Sequence, residues 1–448
     1  YTRLRENLGP TVRDFEWRKK QLQKLKAMLE ENDHEINEAL WLDLHKSRFE
    51  SEASEQGVVL SEINCALENL TEWMTPIVAA TPLYNQIGKS HIRCEPFGLT
   101  LIIGAWNYPI NLLLSPLVSA IAGGNAAIIK PSEISAHTAK VISKLIPKYL
   151  DPNSYAVIEG GAIETGILLE KPFDLIFFTG SSNVGKIVLA KAAPNLTPVV
   201  LELGGKSPAY VDKHTNMKIT ARRIAWGKFM NAGQTCVAPD YVLIDPTVKA
   251  EFLSEIKNVI QEFYGESPEA SPDYCRIINE KNFSRLQGLM DGTQIIHGGI
   301  FKKENLFISP TVVTASPDSK IMQEEIFGPI LPVLEMESVE KAIAFINQRP
   351  KPLALYVYTQ NDKVSKSFEE QTSSGALCVN DNVIHMPMTS LPFGGVGASG
   401  MGNYHGIYGF KTFTHAKGVL DKSFHPDISV RYPPYSYRKE KVLGWLME

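Results

Sequence analysis

Beginning at residue 98, short apolar runs alternate with helical segments, and that rhythm leaves few folds open. Leu99-Thr-Leu-Ile-Ile103 ends at Gly104, and Ala126-Ala-Ile-Ile129 ends at Lys130-Pro131. Tyr155-Ala-Val-Ile158, Leu175-Ile-Phe-Phe178 and Val199-Val-Leu201 follow, each bounded by Gly, Pro or polar residues. Continuous apolar runs of this length are strands buried on both faces, and strands alternating with helices make parallel βαβ units. The expected fold class is α/β, a Rossmann-like doubly wound parallel sheet whose ligands bind at the carboxyl ends of the strands. Past Gly205 a second α/β region is expected, with helices over Met217 to Met230 and Val248 to Phe263. Its strands are expected at Tyr241 to Ile244, Ile330 to Leu334 and Leu355 to Tyr358.

Ahead of this rhythm, Leu22, Leu25, Met28, Leu29, Ile36 and Leu40 recur at helical spacing, which predicts one helix over about Arg13 to Leu40. A second amphipathic helix is expected from about Glu52 to Trp73, followed by a Pro-broken stretch, Thr75 to Gln86. The closing segment from Tyr432-Pro-Pro-Tyr-Ser-Tyr437 onward is too proline-rich and charged for core and reads as a surface arm.

At 448 residues the chain needs two or three domains. Its net charge of −4, with Lys and Arg spread along the chain, excludes nucleic acid or an anionic membrane surface as the main partner. Five scattered cysteines without a C-x-x-C pair suggest neither a disulfide framework nor a metal ligand set, and a reducing, cytoplasmic location is expected. The most apolar stretch, Leu112 to Ile129, is interrupted by Ser115, Pro116, Ser119, Gly123, Gly124 and Asn125, so no membrane span is expected.

Several loops carry chemically capable residues. In Asn231-Ala-Gly-Gln-Thr-Cys236, Gly233 frees the backbone and the cysteine has polar neighbours, unlike Cys65 and Cys378, which sit among apolar residues. A free cysteine is by default a small buried hydrophobe, so Cys236 needs a base and an oxyanion donor before it reads as a nucleophile. Glu202 opens Glu202-Leu203-Gly204-Gly205-Lys206 at the end of a buried strand, where a sheet presents functional groups. It also lies about 20 residues past a Gly turn, where the common dinucleotide fingerprint puts a ribose carboxylate, and spacing alone does not choose between base and ribose ligand. Asn107, closing the first strand, offers an amide N–H₂ of the type that holds an oxyanion; a turn asparagine before an aromatic and a proline is the commoner explanation.

Strand, turn and helix also follow one another through Phe178-Thr-Gly-Ser-Ser-Asn-Val-Gly185, with the helix expected over Ile187 to Ala193. A helix start attracts phosphate through unpaired N–H groups, yet Gly180 and Gly185 match neither the dinucleotide fingerprint nor a P-loop. Lys130-Pro-Ser-Glu133 ends a neighbouring strand and can either reach a ribose or form a solvated turn.

The Asn107-Tyr-Pro turn, Lys130-Pro-Ser-Glu133, Phe178-Thr-Gly-Ser181, Glu202-Leu-Gly-Gly-Lys206 and Gly233-Gln-Thr-Cys236 occur in an order and spacing that resembles the aldehyde dehydrogenase superfamily. Glu325-Ile-Phe-Gly-Pro329 and Pro392-Phe-Gly-Gly395 extend the match over nearly the whole chain. The short amino terminus, Gly402-Asn-Tyr-His-Gly406 and Arg431-Tyr-Pro-Pro-Tyr435 are most similar to its class 3 and fatty aldehyde dehydrogenase branch. The resemblance implies NAD or NADP as cofactor, Cys236 as nucleophile, Glu202 as base and Asn107 as oxyanion donor. It further implies Lys130 and Glu133 at the adenine ribose and Gly180, Ser181 and Gly185 at the pyrophosphate turn. Leu203 and Gly204 would also bind the cofactor, Glu325 and Phe327 would meet the nicotinamide ribose, and Tyr108 and Trp226 would line a substrate tunnel. Residues 1–77 and 98–204 would form the cofactor domain and 205–411 the catalytic domain. Residues 78–97 and 412–448 would be bridging arms of a homodimer. Anchored relatives carry a hydrophobic carboxyl-terminal segment, so this sequence implies a soluble member or a chain trimmed before such an anchor.

The expected activity is NAD(P)-dependent oxidation of apolar aldehydes, medium to long chain or aromatic, through a thiohemiacetal and a thioester. A CoA-acylating relative, a cofactor-independent cysteine hydrolase and an inactive scaffold are the competing readings. Glu202 argues against the first of these, because acylating relatives generally lack the glutamate.

Overall fold

The computed structural model describes residues 1–8, 13–85 and 87–447. Gln86 and Glu448, the ends of two segments named above, lie outside the described residues. All five early apolar runs are strands: Leu99–Ile103, Ala126–Lys130, Tyr155–Val157, Leu175–Thr179 and Val199–Glu202. They form a parallel sheet in the chain order 5-4-1-2-3, with the short Gly400–Met401 strand added antiparallel beside Val199–Glu202. The order reverses at the first strand, so a crevice opens where Leu99–Ile103 and Leu175–Thr179 end. Alternation along that strand sends Leu99, Leu101 and Ile103 into the smaller core, whereas Ile102 points into the larger one.

The second sheet has seven strands, in the order Gln294–His297, Thr311–Thr314, Ile330–Glu335, Tyr241–Ile244, Pro208–Val211, Ala354–Tyr358, Ala376–Val379. All pairings are parallel except that of Gln294–His297 with Thr311–Thr314. A third, three-stranded sheet joins Ile77–Ala79, Gly88–Pro96 and Thr414–Lys422, pairing the segment before the first sheet with the one after the second. The chain therefore has the α/β architecture expected of it.

Helix boundaries differ from expectation where side chains intervene. The single helix expected to Leu40 is two, Phe15–Glu31 and Asp33–Leu44, because the Asn32 side-chain amide takes the Met28 carbonyl and breaks the ladder. The second amphipathic segment starts as a π-helical turn, Glu52–Gln56, and becomes α-helical over Gly57–Met74. The helix after the Gly180 turn is Ser182–Ala192, starting five residues early because the Ser181 hydroxyl caps it by accepting from the Val184 N–H. The Pro-broken stretch contains the Ile77–Ala79 strand and a short turn, Leu83–Asn85. The terminal arm carries an exposed helix, Tyr437–Met447, and no described helix is long and apolar enough to cross a membrane.

Candidate active site

Cys236 sits in a loop that follows the Met217–Phe229 helix and leads to the Tyr241–Ile244 strand. Three successive residues turn this loop through the left-handed region: Asn231 (φ 52°), Ala232 (φ 50°) and Gly233 (φ 73°). At Gly233 a Cβ would stand 2.3 Å from the Gly328 carbonyl oxygen, so no other residue fits there. The bend is locked by its own amides. Asn231 Nδ2 donates to the Asn107 carbonyl (2.8 Å), Gln234 Nε2 donates to the Asn231 and Arg276 carbonyls (3.0 Å each), and Gln234 Oε1 accepts from the Ile278 N–H.

The thiol is half-buried, and burial pushes its pKa up to about 12, with the charges of Glu325 and Glu202 adding to the rise. The backbone N–H groups of Cys236 and Val237 face the sulfur and pull the other way. At rest Cys236 is therefore a protonated thiol that needs a base within reach. Glu202 is close enough for its charge to act on the thiol. It ends the Val199–Glu202 strand, is 3% exposed, and neither carboxylate oxygen has a hydrogen-bond partner among the described residues. Burial alone holds its carboxyl well above the usual carboxylate range. Its backbone is fixed from both sides, by the Gly180 N–H (3.0 Å) and by pairing with Gly400.

Asn107 is brought to the same loop. Its Nδ2 donates to the Gln234 carbonyl (3.0 Å), two residues before Cys236, leaving the second amide hydrogen for another acceptor. Sequence reasoning missed what holds this turn. Lys46, fully buried, donates to the Asn107 carbonyl (3.1 Å) and to Glu55 Oε1 (2.6 Å). Glu55 Oε2 accepts from the Ile110 and Asn111 N–H groups, capping the Asn111–Gly123 helix. Lys46 and Glu55 lie far from Asn107 in the chain, and no local pattern marks them.

Beside the loop lies a cavity of about 350 Å³. Tyr108 and Trp226 both line it, with Phe49, Met230, Phe263 and Ile384 among its apolar walls, and it reaches the nucleophile loop at Thr235. The Tyr108 hydroxyl shares a 2.7 Å hydrogen bond with Thr235, and its ring covers the Lys46 ammonium at 4.1 Å. Glu50, which no sequence motif marks, also lines this cavity.

On the other side of Glu202, the crevice of the first sheet presents groups that fit a dinucleotide. The Thr179 hydroxyl is buried without a partner among the described residues at the switch point, next to Gly180 and the helix start capped by Ser181. Gly185 falls inside that helix rather than in the turn and packs against Leu203, whose side chain would stand 2.9 Å from an added Cβ. Lys130 is buried at the end of its strand, bonded to the Pro131 carbonyl (2.8 Å) and paired with the half-exposed Glu133 (3.4 Å). Gly204 gives Glu325 room: a Cβ there would lie 2.1 Å from the Glu325 carboxylate, which accepts from the Gly205 N–H. Burial, with Asp240 nearby, raises the Glu325 pKa to about 8. Phe327, at φ 51°, turns its ring edge-on to Trp106 (5.3 Å). Glu202 and Glu325 thus both act through their charge on the Cys236 thiol, and the Asn107 amide bonds the loop that carries it.

The chain is similar to known proteins over most of its length. The model of the aldehyde dehydrogenase family matches residues 12–419. A rat protein named "Aldehyde dehydrogenase, dimeric NADP-preferring" is 48% identical over 96% of this chain and 95% of its own. Human aldehyde dehydrogenase family 3 member B1 is 49% identical over 100% of this chain and 96% of its own. The substrate-bound structure of Staphylococcus aureus AldH superposes with a TM-score of 0.95 at 46% identity, covering 97% of this chain and 96% of that one. The chain belongs to the aldehyde dehydrogenase family.

Proposed function

We propose that this protein oxidises apolar aldehydes to carboxylic acids, with Cys236 as nucleophile, Glu202 as general base and Asn107 as oxyanion donor. NAD(P)-dependent aldehyde oxidation is the activity of the family to which the chain belongs. The observation that carries the assignment of roles is Glu202: a buried carboxyl with no hydrogen-bond partner among the described residues, beside a thiol too weakly acidic to ionise unaided. A carboxyl left without hydrogen bonds costs stability, and such sites persist where they do chemistry.

In this reading Glu202 takes the Cys236 proton, and the thiolate attacks the aldehyde carbon to form a thiohemiacetal. The Asn107 amide and the Cys236 N–H hold the oxyanion that develops on the former carbonyl oxygen. The nicotinamide cofactor, when bound, supplies the hydride acceptor that converts this adduct to a thioester. Once Glu202 has released the proton of the thiol to solvent, it draws a proton from water as the water attacks the acyl carbon; collapse of that adduct frees the acid and expels the Cys236 thiolate, which takes the proton back from Glu202. The ribose contacts would come from Lys130, Glu133 and Glu325, and Gly180 with Ser181 would meet the pyrophosphate. Phe327 would flank the nicotinamide, and Tyr108 and Trp226 would guide the aldehyde. NAD and NADP are both accommodated in this proposal, since the Lys130 and Glu133 pair offers one cation and one anion.

A homodimer is part of the same proposal: the rat relative is named dimeric, and the exposed ribbon of Gly88–Pro96 with Thr414–Lys422 offers an arm for a second copy. Residues 98–204 with the amino-terminal helices would serve the cofactor, and 205–411 the nucleophile. The test is Cys236→Ser. NAD(P)H formation from apolar aldehydes should vanish, while NAD(P) still raises the thermal midpoint. Retained steady-state activity in this variant would refute the assignment.

A further inference from the structure

The cavity that leads to Thr235 has mostly apolar walls, yet one of them carries a carboxyl group. Glu50 lies in the short helix Arg48–Ser51, where its position is fixed from several directions. Its backbone N–H donates to the Ser47 hydroxyl (3.3 Å), and its carbonyl accepts from the Ser54 hydroxyl (2.6 Å). The π-helical turn that follows, Glu52–Gln56, separates two carboxyls with different duties: Glu55 points inward to Lys46, whereas Glu50 lines the cavity with Ala53 and Ser54. Glu50 Oε1 accepts from the Asn231 N–H at 2.7 Å and lies 3.7 Å from the Cys275 thiol. Oε2 has no donor among the described residues.

One oxygen of Glu50 is thus anchored to the nucleophile loop and the other is left open in an apolar channel. An alkyl chain laid against that oxygen strips it of water and returns nothing, whereas a hydroxyl on the chain restores the bond. Burial, opposed in part by Lys46, raises the Glu50 pKa to about 7, so above neutrality it is an acceptor without a proton to offer. Asp273, the other acid at this cavity, is exposed and hydrated, and it does not discriminate in the same way.

We propose that Glu50 makes the aldehyde channel selective for apolar aldehydes that carry a hydroxyl donor along the chain or ring, over equally long aldehydes with no donor. The proposal rests on the reading of this cavity as the aldehyde site. Substrates whose hydroxyl can bond Oε2 gain roughly tenfold in kcat/KM over their methyl-capped ethers, because a partly open site still admits competing water.

The test uses benzaldehydes bearing hydroxymethyl, methoxymethyl or ethyl groups at the para and meta positions, with homologues lengthened by one and two methylenes, none of which cyclises easily. kcat/KM is measured near pH ~8.5, where the carboxylate dominates, for the wild-type protein and Glu50→Gln. Glutamine keeps an oxygen for the Asn231 N–H and presents an N–H₂ donor to the cavity instead of an acceptor. The wild type should prefer hydroxymethyl over methoxymethyl by about tenfold in at least one position of the series. Glu50→Gln should reduce that ratio severalfold, because an ether oxygen can now accept. Glu50→Leu, which removes both, should bring the ratio near one and favour the ethyl compound. Ratios that are equal in the wild type and Glu50→Gln throughout the series would overturn the proposal. Absence of any NAD(P)H from every aldehyde would instead refute the activity itself.

Discussion

At the scale of single residues, the site depends on two acids that burial keeps protonated. Cys236 is a thiol pushed up to about 12, and Glu202 is a carboxyl held well above its usual range by burial. Neither ionises the other unaided: Glu202 accepts the proton of the sulfur only after it has lost its own. The consequence for stability has a definite sign. A carboxyl whose folded pKa is raised leaves the fold fully stable below the unfolded value, and that stability is lost as pH rises toward and through the folded value. Glu202→Gln should therefore gain on the wild type by about 1.4 kcal/mol per pH unit above the ordinary carboxylate pKa, until the raised pKa is passed. Thermal or denaturant unfolding of both proteins between acid and mildly alkaline pH measures this; parallel curves would contradict it. The deacylation rate of the wild type should rise with pH over the same span, because hydrolysis needs the ionised form.

At the scale of elements, strand ends and turns deliver every reacting group, and this is the part of the site that could be read before folding. Apolar runs closed by Gly, Pro or polar residues marked the strands, so Glu202, Asn107 and Lys130 were found at strand ends by position alone. Capping was harder to read: Ser181 begins a helix that periodicity placed at Ile187, and Asn32 breaks one that periodicity continued. What no local pattern announced is the support beneath Asn107. Lys46 and Glu55 are nine residues apart and acquire meaning only when the fold sets them against the Asn107 carbonyl and the start of the Asn111–Gly123 helix. Both are fully buried, so removing one strands the other. Lys46→Met should destabilise the protein by about 3–5 kcal/mol and lower kcat with apolar aldehydes, because the Asn107 turn loses its anchor. A thermal midpoint unchanged from wild type would show that the pair is not structural.

At the scale of the whole molecule, the chain builds two α/β sheets, and a third sheet ties the segment before the first to the segment after the second. The first unit contributes the crevice with Thr179, Gly180 and Lys130; the second contributes the bent loop of Cys236. Glu202 stands at the last residue of the first sheet's strand, immediately before the chain crosses to the second. In the proposed reaction that location would let one carboxyl serve both the thiol and the water that follows. The family's chemistry was legible in the motifs, whereas the walls of the aldehyde cavity were not, because Phe49, Trp226, Phe263 and Ile384 meet only in the folded chain.

The central claim is that Glu202 is the base for thioester hydrolysis, and rapid mixing of Glu202→Gln with NAD(P) and an apolar aldehyde tests it most directly. The account predicts a burst of NAD(P)H approaching one equivalent per active site, then turnover reduced by at least ~10²-fold, with acyl-Cys236 visible by mass spectrometry. Steady turnover at the wild-type rate, with no acyl-enzyme accumulating, would contradict it.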